Sequence, residues 1–305
     1  MKKLSEGRKM FFSVMAIFLA YAAIFTIFED YDRTFLQPFM EASDWNLLGF
    51  SIIVLLVLAY ILNRYAHRMD ERISREQAAK ENEMRRQLTH NIAHELKTPV
   101  ASILGYTETL IDHPDIKEET KQQFIQRTHH QAQRLTALLQ DISTLNRMDY
   151  APDVLEKENT DVSQLVSDIA QETVLDLSHR HMKLRNCLPE DIWVMGNPSL
   201  LYSIFRNLFD NAINYAGENT TIEISAEKEM ESWKFTFSDN GQGIAPEHLP
   251  RIFERFYRID KGRSRSMGGT GLGLAIVKNA VLLHGGTISV SSDQGLTFTF
   301  TLQMK

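Results

Sequence analysis

Two apolar runs without a single charge, Met10–Phe28 and Trp45–Leu62, open the chain. As a helix the first spans roughly 28 Å, close to the hydrocarbon thickness of a bilayer, and the second is nearly as long. A cleaved leader accounts for the first run only and has a shorter apolar core, so the pattern predicts two membrane-anchoring helices. Lys2, Lys3, Arg8 and Lys9 precede the first run, and Arg64, Arg68, Arg72 and Arg75 follow the second. The intervening Glu29–Asp44 holds one arginine and five acids. By the positive-inside rule both ends are then cytoplasmic and this loop is outside. Its 16 residues are too few to fold as a domain.

From Asn63 to Thr98 the chain has no Gly or Pro and is rich in Glu, Arg, Gln and Ala, which predicts a continuous helix. Its apolar positions, Met69, Ile73, Met84, Leu88 and Ile92, are sparse; a marginal coiled coil and a solvated helical spacer both fit them. Helical spacing continues from Leu96 through Leu110, until Asp112-His113-Pro114-Asp115 breaks it. Phe124, Thr128, Gln131, Leu135, Leu138, Ile142 and Leu145 then recur at steps of four and three, a bundle seam. A lone hairpin with one apolar stripe per helix leaves much of it in water. Pairing two hairpins buries it in a four-helix bundle, so a homodimer is expected.

From about Thr160 strands separated by helices predict an α/β sandwich. Residues 222–226, 233–238, 287–290 and 297–302 alternate as strands do, and Pro198–Ala216 and Ala275–Leu283 read as helices. A net charge of −6 gives no reason to expect direct nucleic-acid binding, which needs a basic patch to displace counterions from phosphates. The single cysteine, Cys187, cannot close an intrachain disulfide and reads as a small core residue.

Several residues could carry chemistry on this scaffold. His94 heads the stretch His94-Glu95-Leu96-Lys97-Thr98-Pro99. An imidazole with its ordinary pKa of about 6.5 is largely neutral near pH 7 and can attack a phosphate. Thr98 lies one turn beyond it on the same face, and Pro99 should bend the helix just below. His90, four residues before His94, could pair with it on a zinc-binding face, but no Glu lies between them and no third ligand is apparent. The remaining eight of the ten histidines read as solvated or structural. Asn207 and Asn211 put two amides on one helical face, which a polar seam would also explain. Asp239-Asn240-Gly241-Gln242-Gly243-Ile244 could be a plain hairpin turn. A carboxylate before two glycines can instead accept from adenine's exocyclic amine while the backbone closes on the base, which favours ATP over GTP. Gly268-Gly269-Thr270-Gly271-Leu272-Gly273-Leu274 opens a helix, and unpaired N–H groups at such a start attract anions.

In order and spacing these blocks resemble the HisKA-type sensor histidine kinases with a GHKL (Bergerat) ATPase domain, over about Leu88 to Phe300. The resemblance implies that His94 is phosphorylated, Glu95 is its general base, and Thr98 places a water that hydrolyses a partner's acyl phosphate. It also implies that Asn211 ligates Mg²⁺, that Tyr215 packs on adenine, and that Asp239, Gly241, Gly243 and Ile244 form the base pocket. Phe253-Glu254-Arg255-Phe256-Tyr257-Arg258 resembles the F box, with Arg258 on phosphate. Gly269, Thr270, Gly271, Leu272 and Gly273 belong to the lid, where Lys261, Arg263 and Arg265 add charge. Asn214 stands where the family commonly has a phosphate-reaching Lys. Asn197 stands where an Asp usually starts the helix and caps equally well.

The organisation expected is therefore a cytoplasmic N-terminus (1–9), first span (10–28), outer loop (29–44), second span (45–62), helical linker (63–87), dimerisation and phosphotransfer part (88–150) and ATP-binding part (160–305). Such a protein is a multi-pass bacterial inner-membrane kinase with its termini and kinase region in the cytoplasm. It uses ATP and Mg²⁺, passes phosphate to an Asp of a separate response regulator and also dephosphorylates it. Any stimulus is read within the membrane, by the short loop, or by a membrane partner protein. A GHKL-type ATPase or nucleotide-gated scaffold without phosphotransfer is the alternative.

Overall fold

A Gly- and Pro-poor stretch of good helix formers gives one long helix, α1 (Ser43–Asp112), in a computed structural model that describes residues 43–150, 156–259 and 269–304. The expected first span and most of the outer loop lie outside the described residues, as do Lys261, Arg263, Arg265 and Gly268. Among the described residues no helix is long and apolar enough to cross a membrane. The expected second span, 45–62, lies within them as helix, with its side chains described from Val54.

The chain divides into two units, Met1–Glu83 and Met84–Lys305. In the first, the described residues are helical throughout. The second starts within α1, which continues through Pro99 to Asp112. Near the proline, the Ser102 hydroxyl donates to the carbonyl of Thr98 at 3.1 Å. The break at Asp112–Asp115 falls where expected, and α2 (Glu118–Tyr150) returns with Glu118 and Glu119 in its first turn, facing the positive end of the helix dipole. Tyr106 of α1 meets Phe124 of α2 at 5.3 Å between ring centroids. Leu138 and Leu145 of the expected seam are buried, together with Met148.

The remainder is a helix-on-sheet sandwich. A mixed five-stranded sheet has the order β2-β4-β5-β7-β6, from β2 (Lys183–Cys187), β4 (Thr221–Lys228), β5 (Ser232–Asp239), β6 (Ile288–Ser291) and β7 (Thr297–Gln303). Only the β2–β4 pair is parallel. A small ribbon pairs β1 (Glu158–Asp161) with β3 (Trp193–Gly196). Helices α3 (Val162–Glu172), α4 (Val174–His179), α5 (Pro198–Tyr215) and α6 (Gly273–Leu283) complete it. Strict alternation on β5 and β7 sends Phe235, Phe237, Phe298 and Phe300 into the core. There Phe205 of α5 meets Phe235 edge-on at 5.4 Å, and Phe209 meets Phe237 at 5.3 Å.

The start of α5 is held from two sides. Asn197 caps it by accepting from the Leu200 N–H at 3.1 Å, and Pro198 takes the first helical position. The backbone N–H of Asn197 in turn donates to Nε2 of His284, 3.0 Å away, whose Nδ1 lies 2.7 Å from the carbonyl of Ala280. These partners fix a neutral imidazole with its proton on Nδ1. His284, one of the histidines expected to be solvated or structural, is 3% exposed. Burial holds it below the ordinary 6.5, aided by the charge of Lys157 and opposed by the Ala280 bond. Between the lowered value and pH 6.5 the unfolded chain binds more protons. The contribution of His284 to stability is thus complete above pH 6.5 and lost as pH falls toward the lowered value. Denaturant midpoints measured from about pH 8 down to about pH 5 should fall more steeply for the wild-type chain than for His284→Gln.

Candidate active site

Helical periodicity aims the polar face of α5. Burying Leu201, Ile204, Phe205, Leu208 and Phe209 on the sheet leaves Asn207, Asn211 and Tyr215 along the other side, where all three line a cavity of about 1000 Å³. The Asn207 amide donates to the carbonyl of Ser203 at 2.7 Å. The Asn211 side chain has no hydrogen-bond partner among the described residues, so its oxygen is open to a ligand. Opposite, Gly273 begins α6 with a Cβ position that would lie 2.4 Å from Oδ1 of Asn207. A side chain at this position would have to push the Asn207 amide aside.

Asp239 ends β5 at the cavity floor, 8% exposed. The N–H groups of Gly241 (2.9 Å) and Leu296 (3.4 Å) both donate to its Oδ1, leaving Oδ2 as an acceptor. Burial pushes the Asp239 carboxyl up from its ordinary range, and the two N–H bonds oppose the shift. Gly243 holds a positive φ of 63°, and the next residue, Ile244, donates its N–H to Ser292 Oγ at 2.9 Å. Gly243, Ile244, Arg258, Gly269, Thr270 and Gly271 also line the cavity. Leu272 does not; it is fully buried, and its N–H bonds to Thr270 Oγ1 at 3.2 Å. Gly241 contributes through its bond to Asp239 rather than as a wall of the cavity.

The expected phosphoacceptor lies on α1. The His94 side chain is 57% exposed, and its Nδ1 stands 3.9 Å from Oε1 of Glu95, beyond hydrogen-bond length. Glu95 is only 14% exposed, and its Oε2 meets two guanidinium groups, of Arg134 on α2 and of Arg258, each at 3.3 Å. Arg258 also donates to the carbonyl of Gly269. Thr98 donates its hydroxyl to the carbonyl of His94 at 3.5 Å. Two further contacts join hairpin to sandwich: Thr270 Oγ1 donates to Asp141 at 2.7 Å, and Arg255 pairs with Asp149 at 2.8 Å. Desolvation pushes the Asp141 carboxyl up, the Thr270 hydroxyl opposes this, and the charge of Asp210 adds to it.

Arg134, Asp141 and Asp149 were not singled out by sequence. They are polar positions beside the seam of α2, and only the folded arrangement shows what each meets. Arg255 was visible only as a member of the F box.

Residues 84–151 match the family described as the His Kinase A (phospho-acceptor) domain, and residues 196–305 match the Histidine kinase-, DNA gyrase B-, and HSP90-like ATPase family. The chain belongs to the sensor histidine kinases. The cavity accordingly lies in an ATP-binding fold. The sensor-like histidine kinase SenX3 of Mycobacterium tuberculosis is 36% identical over 220 residues, 72% of this chain and 53% of the relative. The phosphate regulon sensor protein PhoR of Haemophilus influenzae is 34% identical over 72% of this chain and 51% of its own length. The sensor protein VanS of Enterococcus faecium is 34% identical over 75% and 60%. This chain thus spans about half the length of the curated relatives it matches. Among solved structures, the Acinetobacter baumannii histidine kinase AdeS superposes with a TM-score of 0.58 at 25% identity, covering 70% of this chain and 98% of AdeS. Histidine kinase ThkA, solved in complex with response regulator protein TrrA, shares the fold with a TM-score of 0.59 at 22% identity, over 72% of this chain and 61% of that one.

A methyl group at position 273 must displace the Asn207 side chain. Gly273→Ala should weaken binding of a fluorescent ATP analogue at least about tenfold, roughly 1.4 kcal/mol, in a direct titration.

Proposed function

We propose that this chain is a membrane-bound, homodimeric sensor kinase that phosphorylates its own His94 from Mg-ATP and passes the phosphoryl group to an Asp of a separate response regulator. The observation that carries this reading is the Glu95 carboxylate, which faces the His94 imidazole with one oxygen and the cavity residue Arg258 with the other. One carboxyl group thereby connects the nucleophile with the nucleotide site.

In this mechanism Nδ1 of His94 faces Glu95, so Nε2 is the attacking nitrogen. The N–P bond forms as the bond from the γ-phosphorus to the bridging oxygen breaks and ADP leaves. The proton on Nδ1 passes to Glu95. Asp239 Oδ2 would accept from the adenine amine, Tyr215 would cover the base, and the backbone of Gly269–Gly273 with Arg258 would receive the phosphates. The side-chain oxygen of Asn211, without a partner among the described residues, suits a hard cation, and Mg²⁺ there would neutralise phosphate charge. A phosphoramidate has a good leaving group, which suits onward transfer to a carboxylate. Thr98, one turn from His94, would place the water that reverses the regulator's phosphorylation.

Homodimer formation is supported by apolar side chains left in water on the hairpin, among them Val100, Leu104, Ile125 and Leu139, between 45% and 56% exposed. Placement in the bacterial inner membrane, with both termini and the kinase region in the cytoplasm, rests on the two uncharged runs and their flanking arginines and lysines. Val54, Leu56, Val57 and Ile61 are likewise exposed near the end of the second run. With so short an outer loop, the stimulus would be sensed within the membrane segment, by the loop itself or by a membrane partner protein.

Incubating the full chain in membrane vesicles with γ-labelled ATP and magnesium should yield label that survives base and is lost in acid, and His94→Gln should abolish it. Nucleotide hydrolysis without label would instead mark a nucleotide-gated scaffold. On a phosphorylated partner regulator, Thr98→Ala should slow dephosphorylation while leaving the label on His94.

A further inference from the structure

Glu95 must do two things that conflict. Its carboxylate lies mostly out of water, where an unpaired charge is costly, yet Arg258, one of the two cations it meets among the described residues, is the residue expected to turn to the nucleotide's phosphates. If Arg258 were its only partner, loading the nucleotide would strand the base just when it is needed. The second cation resolves the conflict. Arg134 comes from the other helix of the same hairpin, its side chain is 9% exposed, and its guanidinium reaches the same oxygen, Oε2, at 3.3 Å. It does not line the cavity, so phosphate does not compete for it.

We infer that Arg134 is a positioning residue for phosphorylation of His94: it anchors Oε2 of Glu95 so that Oε1 stays turned to Nδ1 of the imidazole after Arg258 has moved to phosphate. The inference rests on the kinase reading above. Because the anchor is internal to the hairpin, it persists through any motion of the sandwich. Arg134 lies outside the cavity and would act through Glu95 alone. The contact is a single nitrogen–oxygen pair rather than a two-pronged fork, so a lysine ammonium can supply most of it.

The test measures initial rates of His94 labelling against ATP concentration for the full chain in vesicles, with the affinity of an ATP analogue and the melting temperature followed in parallel. A positioned general base contributes on the order of 10²–10⁴-fold, which bounds the effect. Arg134→Met should lower kcat about tenfold or more while KM for ATP and analogue affinity stay within about twofold, and Arg134→Lys should return kcat to within about threefold of wild type. A wild-type kcat in Arg134→Met overturns the proposal. So does an equal loss in Arg134→Lys and Arg134→Met that tracks a lowered melting temperature in both, since that marks a purely structural ion pair. A wild-type chain that takes up no label at His94 fails at the kinase reading itself, and is told apart from these outcomes because it needs no variant.

Discussion

The aromatic contact between α5 and the sheet sets the geometry on which the site depends. With Phe205 and Phe209 fully buried against Phe235, Phe237 and Phe300, α5 cannot rotate about its axis without opening the core. A helix so fixed places residues two ahead of each phenylalanine on its opposite side, and those residues are Asn207 and Asn211. Asp239 is placed by the same sheet, at the end of the strand that carries Phe235 and Phe237. The amide pair, the buried carboxylate and the glycine start of α6 thus share one cavity because one apolar interface aligns all three.

The contacts that join the hairpin to the sandwich are of another kind. Arg255 and Asp149 are each about 30% exposed, and such a pair is screened and modest in strength. Asp141 is pushed toward its neutral form by desolvation and has a hydroxyl rather than a cation as its partner. Glu95 shares one oxygen between two cations. Such a junction holds one arrangement without locking it, as the proposed transfer to His94 would require of the ATP-binding half. A core interface like that of Phe205 would resist the motion, whereas in the proposed mechanism Arg258 would exchange one charge-assisted contact, to carboxylate, for another, to phosphate.

Much of this architecture was legible in the sequence, for identifiable reasons. Steps of four and three along α2 marked its buried stripe, and Asp112–Asp115 marked the turn, since Pro114 cannot continue a helix. Alternation disclosed β4, β5, β6 and β7 to within two residues at each end. β1 and β2, reading Glu-Asn-Thr-Asp and Lys-Leu-Arg-Asn-Cys, lie at sheet margins with mostly exposed side chains, so tertiary pairing rather than pattern makes them strands. Cys187, expected in the core, is exposed at the end of β2, because that margin leaves it nothing to pack under. The helix expected from Ala275 begins at Gly273, where the close approach of Asn207 favours a residue without a side chain. Leu272 was expected beside the nucleotide with its glycine neighbours, yet its apolar side chain goes to the core while its backbone bonds to Thr270. The anchoring of Glu95 by Arg134 was not legible, because 39 residues separate two charges that the hairpin alone brings together.

The central proposal is that the fixed rotation of α5 presents the Asn211 side chain where it would help hold a magnesium ion beside a bound nucleotide. Titrating a fluorescent ATP analogue into the full chain with and without magnesium tests this directly. Wild type should bind at least about tenfold more tightly with magnesium, and Asn211→Ala should lose that gain while keeping its magnesium-free affinity. An Asn211→Ala chain that gains as much from magnesium as wild type would contradict the account.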